Sequence, residues 1–421
     1  MTTNFYFWLI FGTVMGLYLL DLLANWLNLR ALKPSLPDSF RSIYDESEYR
    51  RMVEYTAVRT RFDALESSVL LAGFLGFWLL GGYGWMDRFA RSFHQGPILT
   101  GLIFFGVIAI GQGIIGLPFS IYGTFGIEQR FGFNKTTPRL FIADLLKSLL
   151  LGCILGGGLL AVVLRLFEID SPYMWVFAWG AISLLMILLM VLAPAFILPL
   201  FNKFTPLEEG ELKHAILAYA GSQKFPVAGL FVMDGSKRST KANAFFTGLG
   251  KMKKIALFDT LIADCKTGSA QSMEEVVAVL AHEIGHFKHR HVLQHLACSI
   301  LKMGLFLFLA QHCVKAPGLF AAFGIQSVSN YAGLALFLLL LKPLNFFFSL
   351  LQGAQSRRHE FQADRFAAQT TGRPEAIIGA LKKLSKNNLS NLAPHPLYVT
   401  LYHSHPPLLK RIEAIGGATD L

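Results

Sequence analysis

The sequence predicts a mainly α-helical, polytopic membrane protein. Of its 421 residues, 53% are hydrophobic and only 15% charged, where soluble domains carry about 25% charged residues. Mean hydropathy is +0.47. Seven apolar stretches approach the roughly 20 residues that a helix needs to cross a hydrocarbon core of about 30 Å. A disordered chain is excluded, because such a composition buries far more apolar surface than disorder permits.

The stretches are 5–27, 67–83, 98–118, 140–164, 174–198, 292–314 and 331–351. The first has no basic residues ahead of it and outruns a signal-peptide core, so it reads as a retained span without a cleavable signal. The sixth is the weakest, since it carries Lys302, Gln311 and His312; an amphipathic or buried helix is its alternative. Asp21, Asp144, Lys147, Lys302 and Lys342 also fall within spans, where charges face a bundle interior or a water-filled cavity. Asp144 and Lys147, three apart, alternatively pair on one helix face.

Loop charge gives an orientation. The loop after span one holds Arg30, Lys33, Arg41, Arg50, Arg51, Arg59 and Arg61, and the loop after span three holds Arg130, Lys135 and Arg139. The loop after span two has only Arg88 and Arg91, and residues 166–173 and 316–330 have no Lys or Arg. Basic loops favour the cytoplasm, so the N-terminus is expected outside and the long polar segments inside. The organisation is then an N-terminal membrane region 1–198 with spans one to five, a cytosolic segment 199–291, spans six and seven in 292–351, and a C-terminal segment 352–421. The net charge of +11 (Lys+Arg 38, Asp+Glu 27) follows from these loops, and no nucleic-acid partner is expected. Cys153, Cys265, Cys298 and Cys313 form no C-x-x-C pair, so neither a disulfide framework nor a thiolate zinc site is expected.

Within the first cytosolic segment, 229–233 and 254–258 read as strands and 243–246 as a short extended piece, with Gly248 and Gly250 offering a turn. Ser272 to Glu275 reads as a capping box opening a helix through VVAVLAHEIGHFKH. That helix carries His282-Glu283-Ile284-Gly285-His286. Residues four apart share a helix face, so both imidazoles can reach one metal, while Glu283 is placed to reach a bound water. Two imidazoles and a carboxylate suit zinc. Zinc activates water and polarises a scissile carbonyl, with Glu283 as general base passing the proton to the leaving amine. The trailing Lys288-His289-Arg290-His291 reads as a basic helix end near the membrane surface.

A third ligand is sought at Arg357-Arg358-His359-Glu360-Phe361-Gln362-Ala363-Asp364. Glu360 and Asp364 share a helix face, so one can bind zinc while the other holds an imidazole N–H. Ser404-His405-Pro406-Pro407, followed by Arg411, reads either as a proline-stiffened turn opening a helix or as a cationic pair for a tetrahedral oxyanion.

These residues resemble one family. EQRFGFNKTT at 128–137, LPLFNKFTPL at 198–207, NAFFTG at 243–248, HEIGH at 282–286, RRHEFQAD at 357–364 and SHPP at 404–407 are similar to the Ste24-type CAAX prenyl proteases, integral-membrane zinc metalloproteases of the M48 class. The resemblance spans essentially the whole chain. It implies a seven-transmembrane-helix barrel around a large chamber, with a cytosolic zinc metalloprotease domain containing a small β-sheet. It also implies one zinc per chain on His282, His286 and Glu360, Glu283 as general base, Asp364 as the carboxylate behind an imidazole, His405 and Arg411 beside the reacting carbonyl, and Asn243 on a substrate-pairing segment. The charges within spans then read as chamber lining.

Eukaryotic members of the family remove the last three residues of prenylated C-a-a-X termini. The short, compact loops here suggest a bacterial homologue in the inner membrane, or the ER membrane if eukaryotic. The expected partners are peptide or protein substrates, prenylated or membrane-associated ones among them, and membrane lipid; a monomer is expected. The alternatives are an HtpX-like quality-control protease without prenyl dependence, a branch with fewer spans, and a channel or transporter, against which the lack of an internal repeat weighs.

Overall fold

In this computed structural model, residues 1–169, 171–247, 253–263, 265 and 270–417 are described. Among these residues, six helices are long and apolar enough to cross a membrane: Phe5–Ala31, Glu46–Leu79, Pro97–Glu128, Pro138–Phe167, Met174–Phe201 and His291–Cys313. A seventh span is a bent pair, Asn330–Leu340 and Lys342–Thr371, meeting at 52°. Pro343 explains the bend, because it lacks an N–H and disfavours helical geometry in the residue before it. The spans thus lie where apolar length placed them, including the sixth. What differs is reach: the second span starts at Glu46, and the seventh runs on as a helix to Thr371.

The spans form a closed ring. Each packs on its sequence neighbour, and the seventh packs back on the first. One end of the ring is sealed by a hydrophobic core in which Phe7, Trp78, Met86, Phe104, Phe167, Phe323 and Tyr331 converge. Away from that seal the spans are hardly buried: the apolar windows of the six straight ones are only 0–22% buried. A helix in a closed ring that is unburied on two faces has lipid on one and a cavity on the other, so the ring is a barrel around a chamber.

The opposite end carries the second core, built from Phe40, Tyr44, Met52, Phe131, Leu257, Leu280 and Ile284, among others. Its sheet has the order β1 (Phe204–Pro206), β2 (Val227–Met233), β4 (Lys253–Phe258), β3 (Ala244–Thr247). β2 runs parallel to β4, while β1 and β3 are antiparallel to their neighbours. β2, β3 and β4 cover the expected strands; β1, only three residues long, is additional. The expected turn at Gly248 and Gly250 lies outside the described residues.

One alternative reading falls and one expectation is corrected. Asp144 and Lys147 do not pair. Asp144 accepts two hydrogen bonds from Arg238, at 2.8 and 3.0 Å, and Lys147 donates to the Leu200 carbonyl at 2.7 Å. Arg238 also donates to Asn202 Oδ1 and the Phe201 carbonyl, so one guanidinium ties the fourth span, the end of the fifth and the segment between β2 and β3 together. The capping box is also displaced. Ser272 lies inside the described helix Ala270–Lys288, so its hydroxyl does not stand at the cap.

Candidate active site

The motif helix, Ala270–Lys288, buries Val276, Leu280 and Ile284 in the second core. This spacing turns His282 and His286 together onto one face. The carboxylate helix, Lys342–Thr371, crosses it at Gly285. A Cβ there would stand 3.1 Å from Ala363 Cα and 3.2 Å from Phe366 Cβ. Glycine and alanine at the crossing therefore permit the close approach that brings Glu360 and Asp364, on either side of Ala363, to the imidazoles.

The ligand-type atoms converge. His282 Nε2 and His286 Nε2 are 3.1 Å apart. Glu360 Oε2 lies 3.5 Å from His282 Nε2, and its Oε1 lies 3.3 Å from His286 Nε2. A tetrahedral ion with bonds of about 2.0–2.1 Å needs its ligand atoms about 3.3–3.4 Å apart. These three residues could hold a metal ion, and their chemistry fits one. His282 Nδ1 faces Asp364 Oδ1 at 2.9 Å, so Nδ1 carries the proton and Nε2 presents its lone pair towards the other two groups. Lone pairs and a carboxylate held this close are mutually repulsive until a cation lies between them.

Around this trio, Asp364 is almost fully buried and receives Arg411 in a two-point grip, Nε to Oδ2 at 2.7 Å and Nη2 to Oδ1 at 2.6 Å. Arg411 comes from the helix Leu408–Gly416 and is itself buried. Its Nη2 also stands 3.4 Å from Glu360 Oε2. His405, in the preceding loop, is largely exposed, with Nδ1 2.8 Å from Glu360 Oε2. Burial pushes the Glu283 carboxyl above the ordinary glutamate range, an effect partly offset by His282 and His286.

Asn243 stands just before β3. Its side-chain oxygen accepts the Ala244 N–H at 2.8 Å, and its carbonyl accepts the Phe258 N–H at 3.1 Å. β3 is the last strand of the sheet, with β4 on one side.

Two neighbours escaped the sequence reading. The chain turns at Arg290, in left-handed geometry with φ 57°. His291 therefore starts the sixth span folded back against the site, only 2% exposed, rather than on a solvated helix end. Its Nδ1 is 2.9 Å from His286 Nδ1, and its Nε2 is 2.9 Å from Gln362 Oε1. The available signal was the fall of Gln362 two residues after Glu360 on the same helix.

Comparison with known proteins agrees with this architecture. Residues 25–203 match the family model of the CAAX prenyl protease N-terminal region with its five membrane helices, and residues 206–419 match the model of peptidase family M48. The chain belongs to peptidase family M48. It is 35% identical to the CAAX prenyl protease 1 homolog of Arabidopsis thaliana over 96% of both chains, and 36% identical to that of Oryza sativa over 92% of both. The crystal structure of S. mikatae Ste24p matches with a TM-score of 0.91 at 31% identity, over 98% of this chain and all of the other. This M48 member is thus a multi-pass membrane metalloendopeptidase, with a peptide or protein as its substrate.

Proposed function

We propose that one zinc ion per chain is held by His282, His286 and Glu360, and that the peptidase works on prenylated C-terminal peptides. The observation that carries the metal reading is the 3.1–3.5 Å convergence of two imidazole nitrogens and a carboxylate. Zinc bound there supplies Lewis-acid activation of a water and of the scissile carbonyl.

The remaining work falls to the protein. Glu283 follows the first ligand and takes the proton from the attacking water, then gives it to the leaving amine; its raised affinity for protons suits a group that must carry one between the two steps. Asp364 holds His282 in the tautomer that presents Nε2, and Arg411 neutralises Asp364. His405, exposed beside Glu360, is the side chain available to donate a hydrogen bond to the developing oxyanion. The edge strand β3, entered through Asn243, offers main-chain groups to an extended substrate.

Substrate class is inferred from the full-length similarity to proteins named CAAX prenyl protease 1 homolog. The orientation proposed, with 199–291 and 352–421 cytoplasmic, follows from the arginines and lysines of the loops after spans one and three. The compact loops favour a bacterial inner membrane, and the site is complete within one chain, as a monomer requires.

The test is elemental analysis of the purified chain, followed by cleavage of a farnesylated peptide and its unprenylated twin with and without 1,10-phenanthroline. Near-stoichiometric zinc, chelator-sensitive cleavage and preference for the farnesylated peptide are expected. Zinc-dependent cleavage without that preference would remove the prenyl part and favour general proteolysis of membrane proteins. A purified active chain without zinc would remove the metal part.

A further inference from the structure

Of the two imidazoles of the motif, only His282 is backed by a carboxylate among the described residues. His286 turns its Nδ1 to another imidazole, His291, 2.9 Å away at Nδ1, and His291 Nε2 meets Gln362 Oε1 at 2.9 Å. An amide oxygen only accepts, so His291 Nε2 carries the proton and its Nδ1 holds a lone pair. That lone pair accepts the Nδ1–H of His286, which leaves His286 Nε2 unprotonated and turned towards His282 Nε2 and Glu360. The opposite polarity, with the Gln362 amide donating, would run the protons the other way along the chain and place one on His286 Nε2, between the three converging groups.

The relay is held rigidly. His291 is 2% exposed, and its ring lies flat on His359, with centroids 3.8 Å apart and planes at 6°. His359 is in turn fixed by Gln294 Oε1 at 3.1 Å and His295 Nε2 at 3.2 Å. Gln362 stands on the carboxylate helix two residues from Glu360, so the helix that supplies a carboxylate to the site also sets the polarity of an imidazole there.

We propose that His291 and Gln362 are positioning residues that lock His286 in its Nε2-lone-pair tautomer and so tune how tightly the site holds zinc. This rests on the reading of His286 as a ligand. The physical expectation is that partners of a ligand imidazole alter metal affinity about 10–100-fold when removed. A stronger acceptor at 362 makes His291, and through it His286, a better electron donor.

The experiment measures the zinc dissociation constant of the full chain in detergent, by competition with a fluorescent chelator, together with thermal unfolding of the metal-free form. Gln362→Glu is expected to tighten zinc binding severalfold and Gln362→Leu to weaken it severalfold. His291→Phe, which keeps a ring against His359, is expected to weaken it about 10–100-fold, with partial recovery in His291→Gln, whose carbonyl can accept the His286 proton. A structural role alone would not shift Gln362→Glu and Gln362→Leu in opposite directions. The proposal falls if both Gln362 variants bind zinc within threefold of the parent chain, or if both shift the same way, while the metal-free proteins unfold at the parent temperature. Should His291→Phe fail to fold, the Gln362 pair decides. A parent chain that binds no zinc would overturn the ligand assignment itself, an outcome distinct from zinc binding that is indifferent to 291 and 362.

Discussion

Arg411 grips Asp364 through two hydrogen bonds of 2.7 and 2.6 Å, and both groups are buried. The pair joins the C-terminal helix to the carboxylate helix, and Asp364 passes its orientation on to His282 Nδ1 at 2.9 Å. A residue 47 positions away from Asp364 therefore governs the posture of one arm of the HEIGH motif.

Removing one member of such a buried pair strands the other charge, at a cost of roughly 3–5 kcal/mol. Arg411→Met is expected to lower the apparent unfolding temperature by several degrees and to weaken zinc retention. Arg411→Lys should recover only part of this, because an ammonium cannot make the two-point contact. Thermal unfolding and elemental analysis of the two variants check it.

Glu283→Gln keeps the side-chain shape but cannot accept a proton. Cleavage is expected to fall by about 10²–10⁴-fold, the range ascribed to general acid–base help, with zinc content unchanged. Single-turnover cleavage measured beside metal analysis separates this outcome from simple metal loss. Full activity in the variant would remove Glu283 from the role of base.

Gly285→Ala adds a Cβ 3.1 Å from the backbone Cα of Ala363, a neighbour that cannot rotate away. The gain in helix propensity, about 1 kcal/mol, is opposed by overpacking of about 1–3 kcal/mol. The variant is expected to be no more stable than the parent and to bind zinc more weakly, since the helix carrying Glu360 must shift. Gly285→Val should be worse on both counts. Chelator competition and thermal unfolding distinguish a displaced crossing from a tolerated methyl group.

Arg238→Met removes the four hydrogen bonds to Asp144, Asn202 and Phe201 without touching the HEIGH helix. A lower unfolding temperature is expected, with zinc content at the parent level. Loss of zinc in this variant would show that the anchoring of the sheet to the fourth and fifth spans reaches the site.

Much of this protein could be read from local spacing. Runs of about 20 apolar residues placed the seven spans, since hydrocarbon thickness sets helix length whatever the helix packs against. Short apolar runs ending in the turn-prone Asp234-Gly235 and in Asp259 located β2 and β4. The four-residue intervals in His282–His286 and Glu360–Asp364 put each pair on one face through helix geometry alone. The reach of the second span was less legible, because its first turns, from Glu46 to Arg61, are polar and helical only through the second core and a cap at Asp45.

What sequence by itself determined was therefore the membrane-spanning class, the order of the spans and the residue types able to hold a metal, all consequences of composition and short-range periodicity. Spacing left open which of Glu360 and Asp364 faces the imidazoles, and the family resemblance assigned them. The tertiary structure sets Glu360 against both imidazoles with Asp364 behind His282, and it alone decided that Asp144 answers Arg238 rather than Lys147 and that His291 is a buried partner of His286. The pairings at His282, His286 and His291 depend on two segments meeting at a helix crossing or a chain reversal. That meeting is governed by close packing at Gly285 and Ala363 and by the left-handed turn at Arg290, which no count of residues along one helix contains.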